Sequence, residues 1–289
     1  MKPFLGIYRE PAYSPGRHNS NDAKILRLVG MALERENIPL KLTTIDEARN
    51  CWKDASLIFS MCQGPDAIAE LTEWQSSGAL ICNDPAASRA TYRDFLCRLM
   101  LENHLAFPKS VEVKTDGSED LKLLEPFFEN DGAWLKRDDV HATQAGDVLR
   151  IEKAPLLPAA LKQFSSRGLK KAVLQAHCAG DEVKFYAVRG DGLFWPYYPK
   201  ECEGYPFVEQ ELQRIAEQAA AALDIAIYGG DAIISSDGKI TLIDLNDWPS
   251  FAPCRGAAAS AIARYLKETY YAYENNCLFK IPSPLAGEG

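Results

Sequence analysis

The residues best suited to do chemistry lie in one stretch toward the C-terminal end of the 289-residue chain, Asp231-Ala-Ile-Ile-Ser-Ser-Asp-Gly-Lys-Ile-Thr-Leu-Ile-Asp-Leu-Asn246. Apolar runs flank Asp237-Gly238, a pair that favours a two-residue type I′ turn. That turn predicts a β-hairpin with Asp231 directly opposite Asp244, and Asn246, two residues on, sharing their face. Two carboxylates at cross-strand distance repel each other and weaken a sheet. A divalent cation between them reverses the sign of that interaction. Asp, Asp and Asn offer only oxygen ligands, which suits Mg²⁺ or Mn²⁺ rather than zinc. The alternative is that both carboxylates simply face solvent.

Other polar residues stand out against apolar surroundings. Lys136 falls in the strand signal Trp134-Leu135-Lys136-Arg137, where a lysine needs a partner or a charged ligand. Gln175 ends an apolar run, and Lys184 alternates with Val183 and Phe185. Each also has an ordinary reading, a satisfied polar group for Gln175 and a solvent-facing strand position for Lys184.

Several segments together resemble the ATP-grasp superfamily. Ile243-Asp244-Leu245-Asn246-Asp247-Trp248-Pro249-Ser250 is similar to the acidic-x-Asn pattern, followed by Pro and a small residue, that closes the metal site there. Val173-Leu174-Gln175-Ala176-His177 resembles the strand-to-hinge segment that holds adenine, and Gly180-Asp181-Glu182-Val183-Lys184 the segment after it. Trp134 to Arg137 resembles the strand whose lysine reaches the phosphates. Asn83-Asp84-Pro85, Tyr92-Arg93-Asp94 and Phe107-Pro108 resemble the link from a first lobe into the nucleotide lobe. The likeness spans about residues 80–260.

The resemblance implies ATP and Mg²⁺ (or Mn²⁺) as cofactors, with Asp231, Asp244 and Asn246 as metal ligands. It implies Lys136 and Lys184 on the phosphates, Gln175 with the backbone of Ala176, His177 and Cys178 on adenine, and Glu182 or Asp181 on the ribose. Such cations and the metal would stabilise a phosphoryl group in transfer. One departure concerns the Gly-rich loop of many ATP-grasp ligases: residues 137–147 contain a single Gly. His141, five residues after Lys136 and followed by Ala142-Thr143, looks more like the inositol polyphosphate kinases of the superfamily. His141 is therefore expected near the transferred phosphoryl or the acceptor, and Arg255, beyond the metal motif, near developing negative charge. Three activities follow. The chain is expected to be a ligase joining a carboxylate to an amine (or thiol) through an acylphosphate, with a small-molecule kinase or a non-catalytic nucleotide-binding module as alternatives.

Composition sets the frame for that site. A formal net charge of −8 and a pI near 5.2 argue against nucleic acid or an anionic membrane as the main partner, leaving a small-molecule substrate. No apolar run is long enough to span a bilayer, and the N-terminus does not read as a signal peptide, so a cytoplasmic protein is expected. The eight cysteines then read as free thiols, and none forms a Cys-x-x-Cys pair. Oligomeric state leaves no mark on the sequence. Arg189, Tyr197 to Lys200, Ser60 to Gly64 and the loop Tyr13 to His18 are further places where an acceptor could be held.

The elements that must position these residues fall into three blocks. In the first, short apolar strands at Phe4–Tyr8, Pro39–Leu42, Ser56–Met61 and Ala79–Cys82 alternate with helices, which implies a Rossmann-like parallel sheet covered on both faces. A helix over 88–103 leads out of it, and Pro108 marks a boundary. The second block has strands around Val111, Trp134, Val148 and Lys171–Ala176, with helices around Leu121 and Leu161. The third has a hairpin about Gly190-Asp191-Gly192, a helix from Val208 to Leu223, the metal hairpin and a last helix from about Gly256 to Glu274. The expected fold is thus α/β (α+β), an ATP-grasp arrangement with an N-terminal lobe over 1–105, a central lobe over 106–180 and a C-terminal lobe over 181–289 carrying the metal site.

Overall fold

Strands whose side chains are apolar on both faces must be covered on both, and three of the four strands of the first lobe are largely of this kind. The computed structural model describes residues 1–14, 17–129, 131–190 and 192–278. In it β1 (Phe4–Ile7), α1 (Arg17–Arg35), β2 (Leu40–Thr43), α2 (Ile45–Ala48), β3 (Leu57–Ser60), α3 (Pro65–Ser76) and β4 (Ile81–Cys82) form a parallel sheet of order β2-β1-β3-β4. Leu5, Ile7 and Ile58 pack toward Ala48, Ile68 and Trp74 on one face, while Phe4 and Phe59 pack on the other. Gly6 has to be glycine there, because a Cβ would come within 2.5 Å of Leu42 and 2.6 Å of Phe59.

The helix expected over 88–103 is two helices, α4 (Pro85–Ala90) and α5 (Arg93–Glu102), broken at Thr91-Tyr92. The break has a cause. The Tyr92 hydroxyl donates to the Gln63 carbonyl, and the first backbone N–H groups of α5 donate outward, Arg93 to Asp139 O (3.2 Å) and Asp94 to Asp138 O (2.9 Å). The free donors of a helix start are thereby satisfied by the loop after Lys136.

The second sheet comprises β5 (Ser110–Lys114), β6 (Ala133–Arg137), β7 (Val148–Ile151) and β8 (Lys171–Ala176), all antiparallel in the order β5-β8-β6-β7, with α6 (Leu157–Ser166) on one face. Leu135, Leu174, Leu161 and Phe164 fill that interface. The helix expected around Leu121 is a 3-10 segment, Leu121–Phe127, whose interior Pro126 cannot donate to an α-helical ladder.

The third sheet has β9 (Asp181–Val188), β10 (Leu193–Tyr197), β11 (Ile227–Ile234) and β12 (Ile240–Asp247) in the order β10-β9-β11-β12, covered by α7 (Glu209–Ala222). The middle residue of the expected Gly190-Asp191-Gly192 turn lies outside the described residues. The last helix, α8 (Arg255–Leu278), returns to the first lobe. Its Ala258, Ile262 and Leu266 share a core with Ile25, Val29 and Leu33 of α1, and Tyr270 meets Phe4 edge-on at 5.3 Å. Each large side chain buried in this way contributes roughly 1.5–3 kcal/mol. The end of the segment expected to form the third lobe therefore completes the first.

The hairpin of β11 and β12, expected to carry a metal, forms with a different turn from the expected one. Ser235 N donates to Lys239 O (3.0 Å) and Gly238 N to Ser235 O (2.8 Å), which closes a three-residue loop. Gly238 has φ +80° and Asp237 does not share a positive φ, which type I′ would require. The longer loop shifts the adjacent register by one residue, so Ile234 faces Ile240 and Ala232 faces Leu242. A β-bulge at Ile243 shifts it back, and Asp231 faces Asp244 as expected.

Candidate active site

Side chains that alternate along β6, β7 and β8 send Trp134, Lys136, Val148, Arg150 and Gln175 to the face opposite α6. Those alternating along β9, β11 and β12 send Glu182, Lys184, Asp231 and Ile233 to the face opposite α7. These two faces line a chamber of about 510 Å³, closed at one end by Ala176, His177 and Cys178. A second chamber of about 290 Å³ adjoins it, lined among others by His141, Lys184, Tyr186 and Asn246. Arg93, Ala142, Asp231 and Asp244 line both.

Lys136 is only 7 % exposed and is held by Gln175 Oε1 at 2.7 Å and Ile243 O at 3.4 Å. Burial pushes its pKa below the ordinary lysine value against the pull of Asp244. Gln175, expected at the adenine edge, lines the chamber, and its Nε2 donates one hydrogen to Ser110 Oγ at 3.2 Å. Its position opposite Trp134 on a buried strand makes it the support of the lysine. Trp134 Nε1 donates to His177 Nδ1 at 3.1 Å, which fixes both rings at the chamber wall. Burial, then the Arg150 charge, lowers the His177 pKa, so this imidazole is neutral at pH 7.

Of the two acids expected at a ribose, the structure separates one from the other. Asp181 points away from the chamber and accepts the backbone N–H groups of Glu203 (3.1 Å) and Tyr205 (2.8 Å), anchoring the loop before α7. Glu182 is in the chamber, paired with Lys184 at 3.2 Å and Lys200 at 3.1 Å. Burial pushes the Glu182 carboxyl up, but the two lysines outweigh it and hold it below the usual range.

The carboxylates of the hairpin sit where the chambers meet. Lys184 Nζ lies 2.8 Å from Asp231 Oδ1, and Arg93 Nη2 lies 3.5 Å from Asp244 Oδ2. Asp231 is pushed up by burial and by the Asp244 charge, with Lys184 acting against both. Among the described residues no three His, Cys, Asp or Glu side chains converge for a metal; the third oxygen donor here is the Asn246 amide. The set fits a hard divalent cation: every donor is an oxygen, and burial plus a facing carboxylate leave Asp231 short of positive charge.

Arg93 was missed as a site residue, although its segment was recognised. It is 5 % exposed, donates Nη1 to Val140 O at 3.1 Å and has its buried Nε without a hydrogen-bond partner. An arginine at the first turn of a helix otherwise packed through Leu96 and Met100 was the available signal. Arg9 and Gln63 were also missed. They follow the carboxyl ends of β1 and β3 and reach the end of β12, Arg9 Nη2 donating to Trp248 O at 2.6 Å and Gln63 Nε2 to Asp247 O at 3.0 Å. Asn83 completes this clamp through Asp247 Oδ1 (2.5 Å) and Ile227 O (2.8 Å). Asp247 is buried, and burial raises its pKa to about 6 against hydrogen bonds from Ser88 and Asn83.

His141 lines the outer chamber beside Asp231 and Asp244. The loop that carries it is held by Asp147, which is fully buried and bonds Arg137 (3.1 Å), Arg167 and the Thr143 N–H (2.8 Å). Arg255 is not brought to the site. It opens α8 against the first lobe, donates to Asn21 Oδ1 at 2.7 Å and lines neither chamber. Arg189 likewise lies elsewhere, bonded to Asp224 at 2.8 Å.

No protein-family model and no curated protein matches the chain. Its structure is similar to solved ones over nearly its whole length. A D-alanine–D-alanine ligase from Bacillus anthracis complexed with ATP superposes at a TM-score of 0.71, with 10% identity, over 96% of this chain and 99% of that one. A RimK domain protein ATP-grasp from Sphaerobacter thermophilus superposes at 0.70, with 14% identity, over 91% and 98%. The ATP-grasp ligase PsnB, complexed with minimal precursor, Mg and ADP, superposes at 0.65, with 15% identity, over 93% and 98%.

Proposed function

With the ATP-grasp fold as its premise, we propose that this chain is a Mg·ATP-dependent ligase that joins a carboxylate to an amine (or thiol) through an acylphosphate. The observation that carries the reading is the shared wall: the chamber suited to a nucleotide opens into a second one at Asp231, Asp244 and Arg93. A phosphoryl group leaving the first chamber crosses that wall to reach an acceptor in the second. The fold similarity to structures described as ATP-grasp ligases supports the same class.

In this reading Trp134, Val148, Ile233 and Ile243 sandwich the base, and the backbone from Ala176 to Cys178 meets its edge. Glu182 accepts from the ribose. Lys136, Lys184 and Arg93 hold the phosphates, and their charges converge where negative charge develops in phosphoryl transfer. Asp231, Asp244 and Asn246 would hold Mg²⁺, which when bound neutralises phosphate charge and acts as a Lewis acid. Gln175 orients Lys136, and Asp147 orients the His141 loop. Arg9 and Gln63, at the carboxyl ends of parallel strands, stand on the acceptor side, where open α/β sheets bind ligands.

The kinase reading keeps one observation in its favour, the place of His141 beside the two carboxylates on the acceptor side. Incubation with Mg·ATP and pools of acids with amines, or of polyols, separates the two by ADP release and product mass. An amide product that needs both an acid and an amine supports the ligase; a mass gain of one phosphate on a polyol replaces it with the kinase. ATP turnover that survives Asp244→Ala combined with Asn246→Ala would refute the metal site itself. Among the described residues no helix is long and apolar enough to cross a membrane.

A further inference from the structure

The register of the third sheet continues the metal row into aromatic side chains. Across the strands Tyr197 pairs with Lys184, Lys184 with Asp231, and Asp231 with Asp244. The neighbouring row on the same face runs Trp195, Tyr186, Gly229, Asn246. The alternation is fixed by the other face, where Phe185 and Phe194 stack at 5.6 Å in the core beneath α7. Trp195 and Tyr197 must therefore point to the cleft side with Tyr186.

Tyr186 lines the outer chamber. It stacks on Tyr197 with centroids 5.7 Å apart and an interplanar angle of 29°, and its centroid lies 5.2 Å from that of the tilted Phe251 ring. Trp195, on the edge strand, is 43% exposed. Between the aromatic side chains and Asn246 the row holds only Gly229, where a Cβ would meet Tyr186 Cδ1 at 2.8 Å and Pro249 Cγ at 2.9 Å. The side chains of Tyr186 and Pro249 thus cover Gly229, and Tyr186 is the first aromatic side chain beside Asn246 in this row. Adjacent strands are about 4.8 Å apart, so β11 to β10 spans roughly 10 Å, the reach of a small acid bearing one ring.

We propose that the outer chamber extends over Tyr186, Tyr197 and Trp195 as a subsite for an aromatic ring, so that the acceptor is an aryl-bearing amino or carboxylic acid. The location of the acceptor rests on the ligase reading above; the ring preference rests on these three residues. Aromatic rings prefer offset or edge contacts with one another, which an exposed indole beside a stacked tyrosine pair presents. The two tyrosine hydroxyls are 3.1 Å apart, and one must donate to the other. That leaves one hydroxyl hydrogen in the pair to donate to a polar group on the ligand.

Saturation-transfer NMR tests this on the full chain with Mg²⁺ and a non-hydrolysable ATP analogue. The probes are both enantiomers of phenylalanine, tyrosine and tryptophan, and 3-phenylpropionate, against alanine and leucine. The expected result is saturation on ring protons of at least one aryl probe, with affinity falling roughly tenfold in Trp195→Ala and in Tyr197→Ala. Tyr197→Phe, which keeps the ring, should lose less. Affinity for the ATP analogue, followed separately by calorimetry, should not move in these variants. Aliphatic probes binding as well as aryl ones, aryl binding unchanged in Trp195→Ala, or no probe binding to a nucleotide-loaded wild-type protein would each overturn the subsite. Failure of the wild type to bind the ATP analogue would overturn the ligase reading instead.

Discussion

Replacing Lys136 and replacing Gln175 should move stability and nucleotide affinity in opposite ways. Lys136 brings a positive charge into a site where its side chain is almost wholly buried, and its closest hydrogen bond is the 2.7 Å contact to Gln175 Oε1. A hydrogen bond to a charged group is worth about 1.5–3 kcal/mol. Gln175→Leu keeps the volume but leaves the ammonium with only the 3.4 Å contact to Ile243 O, so the ligand-free protein should lose about 2 kcal/mol. At ~2–4 °C per kcal/mol, the melting temperature should fall by roughly 4–8 °C. Lys136→Met removes the charge together with its desolvation cost, and such replacements are often neutral, so stability should stay within about 1 kcal/mol of wild type. Nucleotide affinity should order the other way. Without its buried cation the phosphate loses about 2 kcal/mol or more, roughly 30-fold, whereas Gln175→Leu keeps the cation and binds better than Lys136→Met. A pH series adds a sign. The folded pKa of Lys136 lies below its unfolded value, so between the two the unfolded chain binds more protons and stability rises with pH. Lys136→Met should lose that slope. Calorimetric unfolding and titration with a non-hydrolysable ATP analogue measure both quantities. If Lys136→Met unfolds as early as Gln175→Leu and still binds the nucleotide, Lys136 is a structural strap and the phosphate role is wrong.

Asp147→Asn should cost about 3 kcal/mol at neutral pH, because Arg137 and Arg167 lose a buried partner. Burial alone would raise the Asp147 pKa, but Arg167, the Thr143 N–H and Arg137 outweigh it and hold the group below the usual carboxylate range. The stability this supplies is present above the unfolded carboxylate pKa and is lost as pH falls through the folded one. Denaturant curves of wild type and Asp147→Asn should therefore converge in acid, and a constant gap would refute the assignment. Gly230→Ala places a Cβ 2.6 Å from Asp244 O and 2.5 Å from Phe185, so it should destabilise by about 1–3 kcal/mol and lower turnover together, as read by melting temperature and ADP release. Ile262→Ala, in α8, should cost about 2–5 kcal/mol because it opens a cavity in the core that α8 shares with α1; a loss below 1 kcal/mol would mean that α8 does not hold the first lobe.

What the sequence made legible follows from which forces act locally. Three of the four strands of the first sheet are largely apolar on both faces, the edge strand β2 carrying Lys41 and Thr43 on one, and their alternation with helices implied a parallel sheet, which formed. The ATP-grasp architecture, expected from ordered motifs, is borne out by the structure and its similarity to solved ATP-grasp proteins. Local patterns could not show where long polar side chains end up. Gln175 belongs to a recognised segment, yet its hydrogen bonds run to Lys136 and Ser110, each contributed by another strand. Asp181 and Glu182 are adjacent and chemically alike, and only the pleat of β9 decides that one anchors a loop and the other faces the chamber. Arg255 looked well placed beyond the metal motif, but α8 packs on the first lobe and carries it to Asn21. Arg9 and Gln63 lie more than 180 residues from Asp247, a distance that no spacing rule reads.

The hairpin of β11 and β12 shows how a correct pairing can rest on an incomplete account of the chain. An ideal two-residue turn was expected to bring Asp231 and Asp244 together. The loop instead has three residues, and the bulge at Ile243 cancels the resulting slip. The sequence held a trace of this. Ile240, Leu242 and Leu245 are all buried, and the three-residue step from Leu242 to Leu245 cannot keep one face of a regular strand. The bulge does more than restore a register. In a regular strand Ile243 and Asp244 would point to opposite faces; here both line the larger chamber. An apolar side chain and a carboxylate are thereby placed side by side in one chamber, and the Ile243 carbonyl becomes the second acceptor for Lys136. A straight hairpin with the same Asp231–Asp244 pair would bury one of the two side chains under α7. The departure from ideal strand geometry is what joins the apolar wall of the larger chamber to the carboxylates.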